Sequence, residues 1–157
     1  MISPILLELL QHFEGFRASS YLDAAGLATV GYGHLILQGE TFDQPLSLDA
    51  ATKLLLDDVS RVEREVDVIL SDLTPAPYER DALVSFAFNL GAAALRRSTL
   101  LRLFRQGLAV EAAAEFQRWT YGGGRHLPGL LRRRDAECLL FLGADENVIR
   151  RSTMMSA

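Results

Sequence analysis

Strand-forming residues are concentrated in one short segment of this chain, residues 16–34. Within it, the turn residues Asp23 to Gly26 separate a run that ends at Leu22 from a run that begins at Leu27, which is the pattern of a β-hairpin. Elsewhere the apolar residues recur at helical spacing. The pattern predicts an α+β chain that is mostly α, with one small hairpin near its N-terminus.

Two helices can be bounded from their end signals. Residues 3–14 have Ser3 as an N-cap and Pro4 at the first helical position, and Gly15 ends the helix. Ser47 caps a second, long helix over about residues 48–70, which could bridge two lobes. Shorter helices are predicted at about 78–90, 98–106, 110–120 and 128–142, with a flexible glycine connector at 122–124.

Composition excludes several classes of protein. No stretch approaches the roughly 20 apolar residues that span a bilayer, and the first residues lack the basic start of a secretory signal, so a cytoplasmic site of synthesis is expected. Cys138 is the only cysteine, which excludes an internal disulfide. The net charge of −4 conceals an acidic first half and an arginine-rich segment at 96–134 that could meet an anionic polymer, either nucleic acid or cell wall.

Three polar residues around the hairpin suggest a reaction. Glu14 ends the first helix, where the helix macrodipole disfavours negative charge and so favours the proton of a general acid. Glycoside hydrolysis needs two carboxyl groups, one to protonate the leaving oxygen and one to activate water or attack carbon. Asp23 in the turn supplies the second carboxyl group, and the hydroxyl of Thr29 can hold a water. This spacing alone is weak support, because Glu and Asp are common residues.

The same residues carry a family resemblance. Residues 14–34 match the pattern E-G-x5-Y-x-D-x2-G-x2-T-x-G-x-G-H at every fixed position. This segment closely resembles the signature of the phage-type lysozymes, or endolysins, of glycoside hydrolase family 24. The resemblance continues at 81–91, 98–102, 119 and 128–134, so it spans nearly the whole chain.

The resemblance implies a lysozyme-like fold, with one domain over residues 1–157. A small N-terminal lobe with the hairpin, at about 13–58, is expected to be joined by the long helix to a helical C-terminal lobe, at about 70–157. The N-terminal helix is added to these two ranges. The implied activity is that of a muramidase, an endolysin that cleaves the β-1,4 bond between N-acetylmuramic acid and N-acetylglucosamine in bacterial peptidoglycan during host cell lysis.

The resemblance also assigns the catalytic residues. Glu14 matches the general acid, Asp23 the second carboxylate and Thr29 its hydroxyl partner. If Asp23 and Thr29 deprotonate a water on the opposite face of the sugar, the anomeric carbon is inverted. Inversion requires the two carboxyl groups to lie roughly 6.5 to 9.5 Å apart, so that the water fits between them.

Three further residues are candidates for binding substrate. The amide of Asn89 could bond the N-acetyl or hydroxyl groups of a sugar, or it could cap its helix, and the two alternatives stand equal. Arg133 could reach the cleft and pair with Glu14, although an error of register would substitute one of its arginine neighbours. Gly31 has no side chain, so it is expected to let a polysaccharide approach the backbone closely.

His34 is predicted to be structural rather than catalytic or metal-binding. The resemblance implies that it pairs with a carboxylate on the long helix. Asp58 is the better-aligned partner and Asp57 is the second choice. No metal and no cofactor is expected.

Other functions remain as alternatives at this point. A lytic transglycosylase would cleave the same bond without water, but a water-positioning pair at Asp23 and Thr29 argues against it. An inactive binding module and an arginine-driven membrane-disrupting protein are further alternatives, whereas a nucleic-acid partner is disfavoured because the arginines lack interleaved aromatics. The expected partners are peptidoglycan and a phage holin, which would let a monomeric enzyme reach the wall after membrane permeabilisation.

Overall fold

The chain folds as a mostly helical α+β protein, which confirms the predicted fold class. The computed structural model describes residues 1–154. The elements are, in chain order, α1 (Pro4–Glu14), β1 (Arg17–Leu22), β2 (Ala28–Gly31), β3 (His34–Leu35), α2 (Leu48–Ile69), α3 (Pro77–Leu90), α4 (Ala92–Arg97), α5 (Thr99–Arg105), α6 (Ala109–Glu115), a 3-10 turn (Phe116–Arg118), β4 (Tyr121–Gly122), β5 (Arg125–His126), α7 (Pro128–Phe141) and α8 (Glu146–Met154). No helix within this described range is long and apolar enough to cross a membrane.

The ends of the first two helices follow the sequence signals. The hydroxyl of Ser3 accepts a hydrogen bond from the Leu6 N–H at 3.2 Å, which satisfies a backbone donor that the first turn leaves unpaired. Ser47 caps α2 in the same way. Helix α1 ends at Glu14 because Gly15 adopts a φ of 69°, which only glycine adopts readily. The catalytic candidate Glu14 is thereby fixed at a helix end.

Strands β1, β2 and β3 form an antiparallel sheet in that order. The sheet packs on α2 through Gly31, which is buried and has a φ of +66°. A Cβ at Gly31 would lie 3.3 Å from Ala51 Cβ and 3.5 Å from Leu46 Cδ1. Close packing of strand on helix therefore requires glycine here, and the expected role of Gly31 in substrate access stays a prediction.

A continuous apolar core extends from α1 to α8. Helix α1 precedes the sheet in sequence but packs against α3, α7 and α8, because its buried face carries Ile5, Leu6, Leu9 and Leu10. Aromatic rings fill the centre, where Phe86 meets Phe116 edge to face with ring centres 5.7 Å apart. This arrangement brings the C-terminal end of α1 beside α7.

Several elements differ from the sequence prediction, because α4 and β3 were not predicted and the helix expected over 110–120 ends at Glu115. Residues 121–126 form a β4–β5 ribbon where a flexible connector was predicted. Gly123 and Gly124 have φ values of 57° and 79°, and such a pair of left-handed residues is the turn that best matches the twist of a two-stranded ribbon. Helix α8 was not predicted, because it is short and few of its residues are apolar. It is fixed instead by tertiary contacts, among them the ion pair of Arg150 with Glu8 at 2.7 Å.

His34 on β3 is buried between two carboxylates. Its Nδ1 lies 2.8 Å from Asp58 Oδ2 on α2, and its Nε2 lies 3.0 Å from Glu40 Oε2 in the following loop. Burial lowers the pKa of His34, but the hydrogen bonds and charges of the two carboxylates outweigh it and leave the pKa above its ordinary value of 6.5. Of the two candidate partners on α2, the structure places Asp58 at His34, and it adds Glu40, which the sequence analysis missed.

The pairing of His34 should make stability depend on pH. A group whose pKa is raised on folding contributes its full stabilisation below its ordinary pKa, here 6.5, and loses it as the pH rises through the folded-state pKa. We expect the difference in free energy of unfolding between wild type and H34Q to shrink as the pH rises. Urea unfolding over a pH series measures this, with D57N as the neutral control. A difference that stays constant with pH would contradict the ion pairs.

Alanine substitutions at Gly31 and Gly26 form a matched pair. Both glycines have positive φ, but nothing lies within 4 Å of a Cβ at Gly26. We expect each variant to lose about 1–2 kcal/mol of unfolding free energy through backbone strain. G31A should lose a further ~1–3 kcal/mol, because its methyl group overpacks the contact with α2. Urea unfolding compares the two, and equal losses would argue against the packing role of Gly31.

Candidate active site

Glu14 lies where α1, the β2–β3 turn and α7 meet. Its Oε1 accepts a hydrogen bond from Arg133 Nη1 at 2.6 Å. Its Oε2 lies beside Gly33, at 3.5 Å from the position that a Cβ would occupy there. The side chain is 22% exposed, so it is partly shielded from water yet reachable. The two carboxylate oxygens therefore have different surroundings, a guanidinium on one side and a turn without a side chain on the other.

Arg133 is held in place by groups that are themselves buried. Its Nε donates to Glu137 Oε1 at 3.2 Å, and its Nη2 donates to the carbonyl of Ser85 at 3.3 Å. The hydroxyl of Ser85 donates to the same Glu137 oxygen at 2.7 Å. Glu137 is fully buried, and burial raises its pKa, against the opposing effect of two neighbouring guanidinium groups. These bonds to buried groups thus fix the position of Arg133.

The second of these guanidinium groups belongs to Arg134, which has no exposed surface. Its Nε lies 3.1 Å from Glu137 Oε2, at ion-pair distance but without hydrogen-bond alignment. Its Nη2 donates to Asn89 Oδ1 at 2.6 Å. Because the oxygen of Asn89 is held in this way, the amide NH₂ is the end that remains to donate to a ligand. The helix cap is supplied by the N–H of Gly91, which bonds the Ala87 carbonyl, so the side chain of Asn89 is not needed as a cap.

A cavity of about 380 Å³ opens beside Glu14. Of the residues predicted to form the site, Glu14, Asn89 and Arg133 line it together. The other lining residues are His12, Phe13, Leu127, Gly129, Leu130 and Arg132. The structure therefore separates the three consecutive arginines, because Arg132 and Arg133 line the cavity while the third is buried behind Asn89. Within residues 1–154, no three His, Cys, Asp or Glu side chains are grouped to hold a metal ion.

Asp23 and Thr29 lie on the hairpin, outside the described lining of this cavity. Both are held by the backbone of Leu27. The Leu27 N–H donates to Asp23 Oδ1 at 2.8 Å, and its carbonyl accepts from Thr29 Oγ1 at 3.0 Å. The N–H of Ala25 gives Asp23 Oδ1 a second hydrogen bond at 2.8 Å. Leu27 thus orients both side chains. Thr29 itself is buried, with only 3% of its surface exposed.

The sequence analysis missed Glu137 and the role of Arg134. The signal that was present is spacing, since Glu137 follows Arg133 by four residues and Arg134 by three, which are the separations that bring side chains together on a helix. Such pairs are mostly solvent-exposed, and only the tertiary structure shows that this one is buried between α3 and α7.

Comparison with known proteins extends the similarity beyond these residues. The phage lysozyme family model matches residues 11–137. The endolysin of Bacillus phage B103 is 39% identical over 155 residues, which are 97% of this chain and 58% of that protein. The SAR-endolysin of bacteriophage PS119 is 39% identical over 128 residues, which are 79% of this chain and 73% of that protein. The chain thus spans somewhat more than half the length of the first of these relatives.

Two solved structures share the fold. The muramidase domain of SpmX from Asticaccaulis excentricus aligns with a TM-score of 0.81 and 32% identity, covering 90% of this chain and 97% of that one. The endolysin from Escherichia coli O157:H7 phage FAHEc1 aligns with a TM-score of 0.80 and 29% identity, covering 90% of this chain and 93% of that one. With the family model matching most of its length, the chain belongs to the phage lysozyme family.

Proposed function

We propose that this protein is a muramidase, an endolysin that hydrolyses the β-1,4 bond between N-acetylmuramic acid and N-acetylglucosamine in bacterial peptidoglycan. The observation that carries the proposal is the placement of Glu14 in a cavity, between a fixed guanidinium and a glycine turn. The relatives named endolysin and the neighbour named muramidase domain support the substrate.

Glu14 acts as the general acid in this proposal, and its two oxygens have separate tasks. Oε1 stays with Arg133, which fixes the carboxyl group. The proton is carried by Oε2, because this oxygen lies beside Gly33, where no side chain hinders the approach of the glycosidic oxygen. The helix end and Arg133 act in opposite directions on negative charge at Glu14. Arg133 stabilises the carboxylate that forms once the proton has left.

Asp23 and Thr29 supply the water in the same proposal. Because Asp23 Oδ1 accepts two backbone N–H groups, Oδ2 is the oxygen assigned to take the proton from water. The hydroxyl of Thr29 donates its own proton to the Leu27 carbonyl, so its oxygen can only accept a hydrogen bond from that water. A water that donates to both groups has its lone pair directed at the anomeric carbon, which gives inversion.

Substrate binding is assigned to the rest of the cavity lining. The NH₂ group of Asn89 is proposed to donate to a sugar oxygen or an N-acetyl carbonyl, since its own carbonyl is held by Arg134. Leu127 and Leu130 supply apolar surface for the faces of the sugar rings. We propose that the enzyme works as a monomer. We further propose that it is made in the host cytoplasm and reaches the wall after a phage holin permeabilises the membrane.

Replacing Glu14 by Gln tests the acid directly. The amide keeps an oxygen that can accept from Arg133, but it has no proton to give. We expect the rate of peptidoglycan hydrolysis to fall at least about 100-fold, measured by turbidity on purified wall. E111Q, at an exposed position on α6, is the matched control and should keep wild-type activity. Substantial activity in a folded E14Q protein would remove Glu14 from this role.

The stereochemistry of the product tests Asp23 and Thr29. Attack of a held water on the face opposite the leaving group gives the α-anomer from a β-linkage. Proton NMR of the first sugar released from a soluble wall fragment should therefore show the α-anomer before mutarotation. Initial release of the β-anomer would contradict the inverting role of the pair, and a 1,6-anhydro sugar would make the enzyme a transglycosylase.

A further inference from the structure

A second cavity of about 380 Å³ lies between α4 and α5 and shares no lining residue with the cavity at Glu14. Four arginines converge on it, namely Arg96, Arg97, Arg102 and Arg105. The rest of its described lining is polar and uncharged. Like charges around one small space repel each other, so an anion that enters the space is stabilised by them.

One of the four arginines is rigidly held. Arg105 Nε donates to Asp72 Oδ2 at 3.1 Å, and its Nη2 donates to the carbonyl of Ile69 at 2.9 Å. These bonds fix the plane of the guanidinium and leave Nη1 as the donor available to a ligand. The arginine is therefore already oriented before any ligand arrives, which lowers the entropic cost of binding.

The other three arginines have no such partner. Among residues 1–154, Arg96, Arg97 and Arg102 have no carboxylate at ion-pair distance, whereas Arg80 and Arg150 each pair with two. The three are exposed, and they belong to a chain whose net charge is −4. An acidic protein that gathers unpaired arginines at one place has a local positive potential there, of the kind that attracts an anion.

The positive surface continues past this cavity. Arg96 also lines an adjoining cavity with Arg61 and Arg64 of α2, where the remaining lining residues are Glu65 and Val68. The arginines therefore form a strip rather than a single point. A strip fits a ligand with repeated anionic groups better than it fits a single small ion.

The lining chemistry narrows the class of ligand. The planar guanidinium group matches phosphate oxygens with two parallel hydrogen bonds. As the structure describes it, the cavity has no aromatic side chain on which a nucleobase could stack. It also has no apolar side chain that could enter a lipid layer, which a membrane-surface site combines with its basic residues. A phosphodiester polymer that carries neither bases nor acyl chains fits this lining.

We propose that the cavity between α4 and α5 binds the phosphodiester groups of a polyol phosphate polymer in the cell wall, with poly(glycerol phosphate) as the simplest case. The inference rests on the proposed function only in placing the protein at the wall. Binding there would hold the enzyme on the wall between cleavages, through a surface that takes no part in the reaction.

The test compares two double variants of equal charge. R97Q/R102Q removes two arginines of the cavity, and R118Q/R151Q removes two exposed arginines that line none of the cavities described here. Binding to poly(glycerol phosphate) is measured by calorimetry at fixed salt. We expect Kd to rise about 10-fold or more in R97Q/R102Q and to change little in R118Q/R151Q. The Kd of R97K/R102K should lie between those of wild type and R97Q/R102Q. Lysine keeps the positive charge but lacks the planar pair of N–H donors of arginine.

Further measurements distinguish the wall polymer from other phosphate ligands, and they distinguish this proposal from the muramidase proposal. Inorganic phosphate should bind more weakly than the polymer, and phosphatidylglycerol vesicles should not bind through these arginines. The assignment is overturned if vesicles bind and R97Q/R102Q abolishes that binding, if both double variants lose polymer binding equally, or if wild type does not bind polymer.

E14Q should bind polymer as wild type does, and R97Q/R102Q should hydrolyse wall stripped of the polymer at the wild-type rate. Polymer binding needs no turnover, so its failure is separate from failure of the muramidase proposal.

Discussion

The site depends on a buried carboxylate that fixes two arginines at once. Glu137 lies between Arg133 and Arg134, and each guanidinium then holds one residue of the cavity, Glu14 in one case and Asn89 in the other. Burying these charges is costly, and removing one partner of a buried pair costs about 3–5 kcal/mol, because the other charge is left uncompensated. The arrangement therefore tolerates little change. The catalytic and binding groups are, however, oriented before substrate arrives. This lowers the entropic cost of positioning them for the reaction.

The hairpin supplies the other half of the site by local means. The N–H and carbonyl of Leu27 hold Asp23 and Thr29, so the turn itself sets their relative position. The hairpin is held on the long helix by the tight packing of Gly31 and by the contacts of His34 with Asp58. Its position relative to α2 is thereby fixed at two points. The acid and the proposed water-holding pair thus belong to separate structural units, joined through α2 and the turn that contains Gly33.

The sequence predicted those features that arise from local interactions. Ser3, Pro4 and Ser47 mark helix ends because the groups they satisfy lie within one turn of the same helix. Glu14, Asp23 and Thr29 were singled out by spacing and by the family resemblance. What the sequence did not show concerns interactions between distant parts of the chain. Gly31 packs against a helix 20 residues away, Glu40 reaches His34 from a loop without regular structure, and Glu137 is an acidic residue that is fully buried. Neither periodicity nor composition indicates which charged residue on a helix faces inward.

The central claim is that the proton leaves from the side of Glu14 that faces Gly33, while Arg133 holds the other side. A crystal structure of the E14Q protein with a peptidoglycan oligosaccharide bound across the cavity tests this most directly. We expect the scissile glycosidic oxygen to lie roughly 3 Å from the side-chain atom of residue 14 beside Gly33. Arg133 should remain bound to the other side-chain atom, and the amide of Asn89 should contact a sugar. A glycosidic oxygen on the Arg133 side, or a sugar bound away from residue 14, would contradict this mechanism.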